Sequence, residues 1–442
     1  MEFDFNLSGV SDIRIETDVI KEYELIDGKI QKKEKEKKGA MLRRYVDGKW
    51  ICESIDSDDY EIINSILKQK VGSSGQEEFR QSGNIYETNN DIIIKIAEKP
   101  SDRDIQEILR SFFEVNESYL SKSSNYDIRF IEQIVEKEYH SSWKSKVIQK
   151  TIHFGIIIDI EFKIRDNTFF DEFNVCVENY KLLKRELDNS YRFIKQLYQY
   201  SLEADELSSG EYDILLHPRV SGIFTHECIG HLAEADMNEE YIRNLFKENY
   251  MINTHLSINV VDSGKVGISG RLAYDDEGIL KKDTYIVKDS RLNQELTTLS
   301  EAIDMKCMRS TGNARAVDYS HEPIPRMTTT YIESGNCKKE DMFRQIKNGI
   351  YIKTVKQCSG HFYYSIIPNV AYEIKDGKIL RPVIAPKISG RSIKLFSNIV
   401  ALSNEIEIYD FIKIGCGKKN QNNLPVSFGG PYVLIKEMPL GY

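Results

Sequence analysis

The pattern of apolar residues changes near residue 205, and this change constrains the fold more than any other feature of the sequence. From 177 to 197 the apolar residues recur at intervals of three and four, as in an amphipathic helix. The polar stretch EADELSSGEYD at 203–213 interrupts this pattern. Short alternating or β-branched runs separated by turns then follow, for example YDILLHPRV. We therefore predict two domains, 1–205 and 206–442.

The first domain is predicted to mix helices and strands. Helical periodicity over 57–71 and 101–120, each opened by Ser or Asp as an N-cap, indicates two helices. The alternating and then β-branched pattern over 127–164 indicates strands. Asp-Gly pairs at 27–28 and 47–48 lie between apolar runs, where this dipeptide predicts a two-residue hairpin turn.

The second domain is predicted to be mainly antiparallel β-sheet, with a third Asp-Gly hairpin turn at 376–377. Helices are expected at 226–247 and as short pieces near 340–348 and 391–401. The expected fold class is therefore α+β: an N-terminal mixed α/β domain, followed by a mainly antiparallel β domain that carries the helix with the motif HECIGH.

The composition indicates a soluble acidic protein. The net charge of −9 argues against nucleic acid as the main partner, because duplex binding depends on Lys and Arg neutralising phosphates. The one basic cluster, QKKEKEKKG at 31–39, is interrupted by glutamates and is predicted to be a solvated loop. No apolar run approaches the roughly 18 residues of a membrane span, and the N-terminus lacks a signal-peptide pattern. Seven scattered cysteines without a C-x-x-C pair fit a reducing cytoplasm.

The stretch HECIGH at 226–231 resembles a zinc motif with one extra residue. In H-E-x-x-H the two histidines are four apart on one face of a helix. Residues five apart on a regular helix point about 140° apart. His226 and His231 could therefore hold one ion only if the helix carries a π-type bulge, which Gly230 would tolerate. The alternative is a regular helix in which Glu227 and His231 form an ordinary i,i+4 ion pair.

A catalytic zinc site normally has a third protein ligand and leaves one position for water. The candidates for this ligand are His217, His255, His321, His361 and the cysteines. Cys228 lies between the motif histidines but would point away from both, so we expect it to pack in the core. His217 begins a His-Pro turn and is expected at the surface. Cys416 lies between two glycines in KIGCGKKNQ, where the backbone is free to bring a thiolate close to an ion.

Several ordered blocks resemble one known family. HECIGHLAEAD is similar to the HExxxH helix of the TldD/PmbA family of metallopeptidases, on the TldD side. Later blocks resemble that family in the same order: LAYDDEG at 272–278, RSTGNARAVDYSHEPIPRMTTTYIESG at 309–335, VAYEIKDGKILRPV at 370–383 and GCGKKNQNNLPVSFGGPYVLIKEM at 415–438. GAMLRRYVDGKWICES resembles its N-terminal hairpin. The resemblance covers most of the chain, strongly after about 213 and loosely before.

The resemblance implies that His226, His231 and Cys416 hold Zn²⁺ and that Glu227 is the general base. It also implies a peptidase of unfolded or extended peptides, including leader removal, that works as the catalytic subunit beside a TldE/PmbA-like partner; a homodimer is the other assembly. Exposed strand edges would suit an extended peptide. Two other functions stay open: a scaffold subunit with structural zinc, and a zinc hydrolase of non-peptide amides.

Other polar residues near these blocks have two interpretations each. Glu234 and Asp236 either orient a metal ligand or are ordinary helix acids. Arg315 and Arg326 either contact substrate or form ion pairs, and the same holds for His321. CSGHFYYSI at 358–366 replaces the glycine-rich stretch expected there, which leaves the substrate preference open.

Overall fold

The chain forms two large β-sheets, each accompanied by helices. The computed structural model describes residues 3–5, 10–26, 28–68, 89–93, 98–237, 239–306 and 309–440. In these residues a seven-stranded sheet occupies the N-terminal part and an eleven-stranded sheet the C-terminal part, with smaller sheets of two and three strands. The α+β class with mainly antiparallel pairing is confirmed. The predicted domain boundary remains a prediction.

The N-terminal sheet consists of long hairpins. Its strands are β1 (Ser11–Ile26), β2 (Lys29–Val46), β3 (Lys49–Ile55), β4 (Asn89–Ile93), β5 (Asn125–Ser141), β6 (Lys146–Ile164) and β7 (Asn167–Val177). Their order is β3-β2-β1-β5-β6-β4, with β7 also on β6, and only the β4–β6 pair is parallel. The first two predicted hairpin turns join β1 to β2 and β2 to β3. Asp47 and Gly48 have φ of 51° and 79°, as such a turn requires, whereas Asp27 lies outside the described residues.

Two predictions for this part of the chain are wrong in detail. The basic cluster at 31–39 is solvated, but it belongs to β2 rather than to a loop. Its backbone pairs with β1 throughout. Successive side chains of a strand point to opposite faces of the sheet, and those of 31–38 are exposed on both faces. The helix predicted from 177 begins only at Leu187, after the end of β7 and a 3₁₀ turn at Tyr180–Glu186. A spacing of three suits a 3₁₀ turn as well as an α-helix, which explains the error.

In the part of the chain that the structure describes, three helices cover the N-terminal sheet. They are α1 (Tyr60–Leu67), α2 (Asp102–Leu120) and α3 (Leu187–Glu203). The predicted N-cap of α2 is Ser101, which forms a capping box with Asp104. The apolar faces of α2 and α3 pack against the sheet, with Phe112, Phe154 and Ile194 in one buried cluster.

The C-terminal part consists of short strands and a final long hairpin. Its strands are β8 (Asp205–Glu206), β9 (Gly210–Leu216), β10 (Val260–Ser263), β11 (Thr284–Lys288), β12 (Arg291–Leu292), β13 (Ala314–Arg315), β14 (Ile324–Pro325), β15 (Thr329–Ile332), β16 (Asn348–Ile352), β17 (Val355–Ser359), β18 (Tyr363–Pro368), β19 (Ala371–Lys375), β20 (Lys378–Ile384), β21 (Ile388–Arg391), β22 (Ile399–Lys418) and β23 (Gln421–Leu440). The helices are α4 (Pro218–Thr225), α5 (Glu240–Lys247), α6 (Leu299–Asp304), α7 (Lys339–Arg344) and α8 (Ser392–Ser397). The third predicted hairpin turn joins β19 to β20.

The large C-terminal sheet has the order β12-β11-β10-β15-β23-β9-β16-β19-β20-β8, with β22 paired to β23. Helix α4 leaves the end of β9 and packs on β23, so the HECIGH segment lies against the β22–β23 hairpin. Among the described residues, no helix is both long enough and apolar enough to cross a membrane.

Candidate metal centre

The HECIGH motif forms a π-helical turn, which is the arrangement that its two histidines would need in order to hold one ion. Helix α4 continues into π-helix at His226–Gly230, and the N–H of His231 donates to the carbonyl of His226, five residues back. This wider turn brings the two imidazoles together, with ring centroids 5.1 Å apart. The bulge is confirmed, and the alternative of a regular helix is wrong.

The helical segment that carries the motif packs closely against its neighbours, and glycine is needed at two of its positions for that reason as well as for the bulge. A Cβ on Gly230 would lie 1.9 Å from the sulfur of Met327, and one on Gly222 would lie 2.4 Å from the backbone nitrogen of Gly429. The helical segment can therefore approach β23 and its neighbouring loop more closely than any side chain would allow. This approach places the motif histidines beside the strand that carries Cys416.

Three side chains meet at this contact. The ligand atoms of His226, His231 and Cys416 all lie within 4.8 Å of one another, and all three residues are buried. The sulfur of Cys416 is 3.3 Å from Nε2 of His231. Both ring nitrogens of His226 are buried without a hydrogen-bond partner among the described residues. Zinc bonds of about 2.0–2.3 Å in a tetrahedral site separate ligand atoms by roughly 3.5 Å. The spacing, the orphaned nitrogens and the N₂S donor set therefore fit zinc.

Two of the other candidate ligands have structural roles. Nδ1 of His217 accepts a hydrogen bond from the amide of Arg219 at 3.2 Å and caps helix α4. Its ring packs against Tyr432, and burial, together with nearby lysines, lowers its pKa to about 3. The expected surface position of His217 is therefore wrong, because aromatic rings of the sheet cover it. Cys228 is fully buried in the core, as predicted.

The remaining histidine candidates also lie outside the set of ligand atoms. His255 is exposed. His321 pairs with Asp318 at 2.7 Å, which supports the ion-pair interpretation of that residue. His361 lies close enough to His231 for their charges to interact, but its ring does not join the three ligand atoms.

The metal-free triad favours a thiolate. Burial raises the pKa of Cys416, but the imidazoles of His226 and His231 outweigh it and hold the pKa well below the ordinary value. Conversely, burial lowers the pKa of His231, whereas Glu234 and Cys416 raise it well above its usual range. The thiolate is the form of cysteine that binds metals, so this shift favours the form of Cys416 that could act as a ligand.

Glu234 orients one of the histidines. Its Oε2 lies 2.7 Å from Nδ1 of His231, which directs Nε2 of that ring towards Cys416. The carboxylate is fully buried. Burial raises its pKa, but His231, Lys418 and Arg326 lower it to about 2. A carboxylate in this position fixes the tautomer and direction of a metal-binding imidazole. Of the two interpretations for Glu234, the structure supports the orienting one.

Asp236 is connected to the triad indirectly, through Lys418 and Glu234. Its carboxylate accepts hydrogen bonds from Lys418 at 2.5 Å and Lys419 at 2.8 Å. Lys418 also pairs with Glu234 at 3.2 Å and donates to the carbonyl of Pro325. The ammonium group of Lys418 therefore links both acids to the strand of Cys416.

Buried arginines hold the Cys416 strand in place. Arg326 donates to the carbonyl of Cys416 at 2.6 Å, and Arg315 donates to the carbonyl of Pro425 at 2.8 Å. Both side chains are buried, with 0% and 7% exposure. The sequence left open whether these residues contact substrate or form ion pairs. They instead bind backbone carbonyls and position the β22–β23 hairpin.

Glu227 lies on the π turn between the two histidines. It is half-buried. Burial raises its pKa, while His226, His231 and the amide of Gly360 partly offset this effect. A half-buried carboxylate with raised proton affinity is better suited to accept a proton from water than an ordinary surface carboxylate.

The sequence comparisons agree with this geometry. Residues 209–441 match the model of the PmbA/TldA metallopeptidase C-terminal domain. The chain belongs to the PmbA/TldD family of metallopeptidases. It is 26% identical over 377 residues to a protein of Saccharolobus solfataricus named zinc metalloprotease TldD homolog, covering 81% of each chain. It is 31% identical over 249 residues to the metalloprotease TldD homolog of Haemophilus influenzae, covering 54% of this chain and 50% of that protein.

Solved structures of low sequence identity share the fold of this PmbA/TldD chain. TldE from Thermococcus kodakarensis superposes with a TM-score of 0.72 at 14% identity, covering 100% of this chain and 97% of that one. A protein of Thermotoga maritima described as a putative modulator of a DNA gyrase gives the same TM-score and identity, covering 98% and 96%. At this identity the likeness concerns the fold alone.

Sequence reasoning missed two components of the PmbA/TldD site. Lys418 follows Cys416 closely in β22, but nothing local indicated that its ammonium would be buried between two acids. Gly360 contacts Glu227 from a different hairpin: a Cβ there would lie 2.6 Å from the Glu227 carbonyl oxygen. Such contacts between distant segments leave no pattern in a single sequence.

Proposed function

We propose that this chain is a zinc-dependent peptidase that hydrolyses unfolded or extended peptides, in leader removal or in peptide maturation and degradation. The observation that carries the proposal is the buried triad of His226, His231 and Cys416 beside Glu227, in which His226 has no partner for either nitrogen among the described residues. The names of the relatives, zinc metalloprotease and metalloprotease, support the same chemistry.

The triad would hold the ion, and Glu227 would move the proton. When bound by these ligands, zinc supplies Lewis acidity, which lowers the pKa of water and polarises a carbonyl group. Glu227 accepts the proton of the attacking water and then delivers it to the leaving amine. Glu234 keeps His231 in the tautomer that presents Nε2 to the centre.

An exposed strand edge next to Glu227 suits an extended substrate. Strand β17 lies at the edge of a three-stranded sheet and pairs with β18 alone among the described strands. It ends at Ser359, immediately before Gly360, which contacts Glu227. A peptide that adds to β17 by backbone hydrogen bonds would be led towards the triad. Such binding requires an unfolded segment and depends little on its sequence.

We further propose that the chain is the catalytic subunit of a cytoplasmic complex with a TldE-like partner, with a homodimer as the other assembly. The fold that it shares with a TldE protein supports this, because related subunits commonly assemble through equivalent surfaces. Size-exclusion chromatography with light scattering, on the chain alone and with a TldE-like protein, distinguishes the two assemblies.

The test of the activity is peptide cleavage by the zinc-loaded chain, with and without a TldE-like partner, followed by mass spectrometry. Wild type should cleave unfolded peptides, and Glu227→Gln should reduce the rate by about 10²- to 10⁴-fold while zinc content stays unchanged. The matched control is Glu240→Gln, an exposed residue of α5, which should behave as wild type.

Each alternative has its own outcome in this experiment. Cleavage that persists in Glu227→Gln rules out the general base. Stoichiometric zinc without cleavage of any peptide favours a scaffold subunit, and cleavage restricted to small aryl amides favours a hydrolase of non-peptide amides.

A further inference from the structure

The tip of the β17–β18 hairpin lies directly over the π turn. It consists of Gly360, His361 and Phe362. A Cβ on Gly360 would lie 2.6 Å from the Glu227 carbonyl oxygen and 3.0 Å from its Cβ, so only glycine allows this contact. Ser392 holds the tip from behind: its hydroxyl donates to the carbonyl of His361 at 2.6 Å, and its amide donates to that of Phe362 at 3.0 Å. The tip is thus a fixed wall of the site.

The imidazole of His361 is only partly satisfied in this wall. Its Nε2 is shielded from solvent and has no hydrogen-bond partner among the described residues. A buried polar atom without a partner costs free energy unless a ligand completes it. The ring belongs to the residue that follows Gly360, which contacts Glu227, and its charge would interact with those of His231 and Glu234.

His361 differs from the three ligand residues and from Glu227. It does not belong to the set of ligand atoms. Burial and the neighbouring His231 lower its pKa, which favours the neutral imidazole, and a neutral imidazole carries one N–H. Glu227 can accept a proton from water, whereas a neutral imidazole on a rigid tip can donate a hydrogen bond. The two groups are therefore chemically complementary.

We propose that His361 is a catalytic residue that contacts the substrate and donates a hydrogen bond from Nε2 to the carbonyl oxygen of the scissile peptide bond. This rests on the proposed peptidase function. As the water oxygen bonds to the carbonyl carbon, one water O–H bond breaks and its proton passes to Glu227. The carbonyl π electrons move onto the oxygen that His361 contacts. The electron pair on that oxygen then re-forms the C=O bond as the C–N bond breaks, and Glu227 returns the proton to the departing nitrogen. His361 keeps its proton throughout and stabilises the charge on the oxygen.

The experiment compares His361→Ala, His361→Asn and the exposed control His255→Ala in the zinc-loaded full chain, with a TldE-like partner present if cleavage needs one. His361→Ala should lower kcat by about 10²- to 10³-fold, as removal of an oxyanion donor typically does, with KM changed by less than about threefold. His361→Asn keeps an N–H donor and should recover part of the lost kcat. His255→Ala should match wild type.

Two readouts that do not depend on activity accompany the kinetics. Zinc content by elemental analysis should be equal in all three variants, because His361 is not a ligand. The affinity for a fluorescent unfolded peptide, measured by anisotropy in the inactive Glu227→Gln background, should be the same with and without His361→Ala.

The outcomes separate this proposal from the proposed function. Wild-type kcat in His361→Ala, or loss of zinc from that variant, overturns the role of His361 while the peptidase function stands. A tenfold loss of peptide affinity without a change in kcat also overturns it. Absence of cleavage by wild type overturns the peptidase function, and this inference falls with it.

Discussion

Two buried polar clusters of the C-terminal part differ in how far the chain satisfies them. Asp262 on β10 accepts from the amide of Thr328 at 2.8 Å, from Asn313 at 2.7 Å and from Lys281 at 3.0 Å. In the metal triad, both nitrogens of His226 lack a partner among the described residues. Both clusters are almost fully buried.

This difference in hydrogen bonding indicates a structural role for the Asp262 cluster and a ligand-binding role for the triad. Buried polar groups are normally paired, so a complete network such as that of Asp262 supports the fold, whereas an incomplete one requires a ligand. The two clusters are connected: Asp262 binds the amide of Thr328, and the neighbouring Met327 packs against Gly230 of the π turn. The satisfied cluster therefore supports the unsatisfied one.

The largest expected effect is the difference in the free energy of unfolding between two metal-free variants, each of which removes the central residue of one cluster. Asp262→Ala leaves Lys281 buried without its carboxylate and should lower the free energy of unfolding by about 3–5 kcal/mol. His226→Leu removes nitrogens that have no hydrogen-bond partner among the described residues and that interact with Cys416 through charge, so it should lower the free energy of unfolding by clearly less than Asp262→Ala does. Urea denaturation with a chelator present measures both. Equal losses in the two variants would contradict the comparison.

Zinc should give the triad the bonding partners that Asp262 already has within the chain, and its binding should therefore stabilise the folded protein. At a free zinc concentration about 1,000 times Kd, the free energy of unfolding should rise by about 4 kcal/mol. Cys416→Ser should lose most of this gain, while the control Cys337→Ser, away from the triad, should keep it. Thermal denaturation with and without zinc provides the measurement, and an undiminished gain in Cys416→Ser would exclude that ligand.

The orienting role of Glu234 should have an intermediate effect. Glu234→Gln preserves the shape of the side chain but removes its charge, and should weaken zinc binding 10- to 100-fold. Asp236→Asn, which reaches the centre only through Lys418, should weaken it less. Competition with a chromophoric chelator gives both affinities. If Asp236→Asn had the larger effect, the assignment of the orienting acid would be reversed.

A buried charged cluster joins the two parts of the chain and should respond to pH. Burial raises the pKa of Asp276, but Lys137 and Arg14 lower it to about 2, below the ordinary 3.8. Because the folded-state pKa is depressed, the stabilisation is complete above about pH 4 and is lost as pH falls towards 2. Asp276→Asn should therefore be less stable than wild type at pH 7, by an amount of the order of 2 kcal/mol.

Urea midpoints from pH 2 to pH 7 test this dependence. The difference between wild type and Asp276→Asn should shrink below pH 4, and a constant difference would exclude the ion pair as its cause. The exposed control Asp166→Asn should show no such pH dependence.

Sequence patterns predicted secondary structure well where it depends on interactions between residues that are close in the chain. The Asp-Gly turns and the Ser101 cap of α2 follow from backbone preferences of a few neighbouring residues, whereas the spacing at 226–231 left a π turn and a regular helix both open. The helix expected from 177 and the loop expected at 31–39 were wrong, because β7 and the pairing of β2 with β1 decided those segments.

For the candidate site, the spacing of His226 and His231 required a bulge, and resemblance to a family pointed to Cys416 and Glu227. The chain alone could not choose between Glu234 and Asp236, nor assign Lys418 or the tip that carries His361. Those assignments depend on which side chains are buried next to one another, and this is known only from the folded structure.

The sequence by itself determined the turns and the caps, since dihedral preferences act within a few residues, and it limited HECIGH to a bulged or a regular helix. Only the tertiary structure brought Cys416 to within 3.3 Å of His231 across 185 residues, and left His226 and His361 with buried nitrogens that lack a partner among the described residues. The reason is physical: burial and long-range hydrogen bonding exist only after distant segments pack, and they decide which polar groups are complete and which still need a ligand.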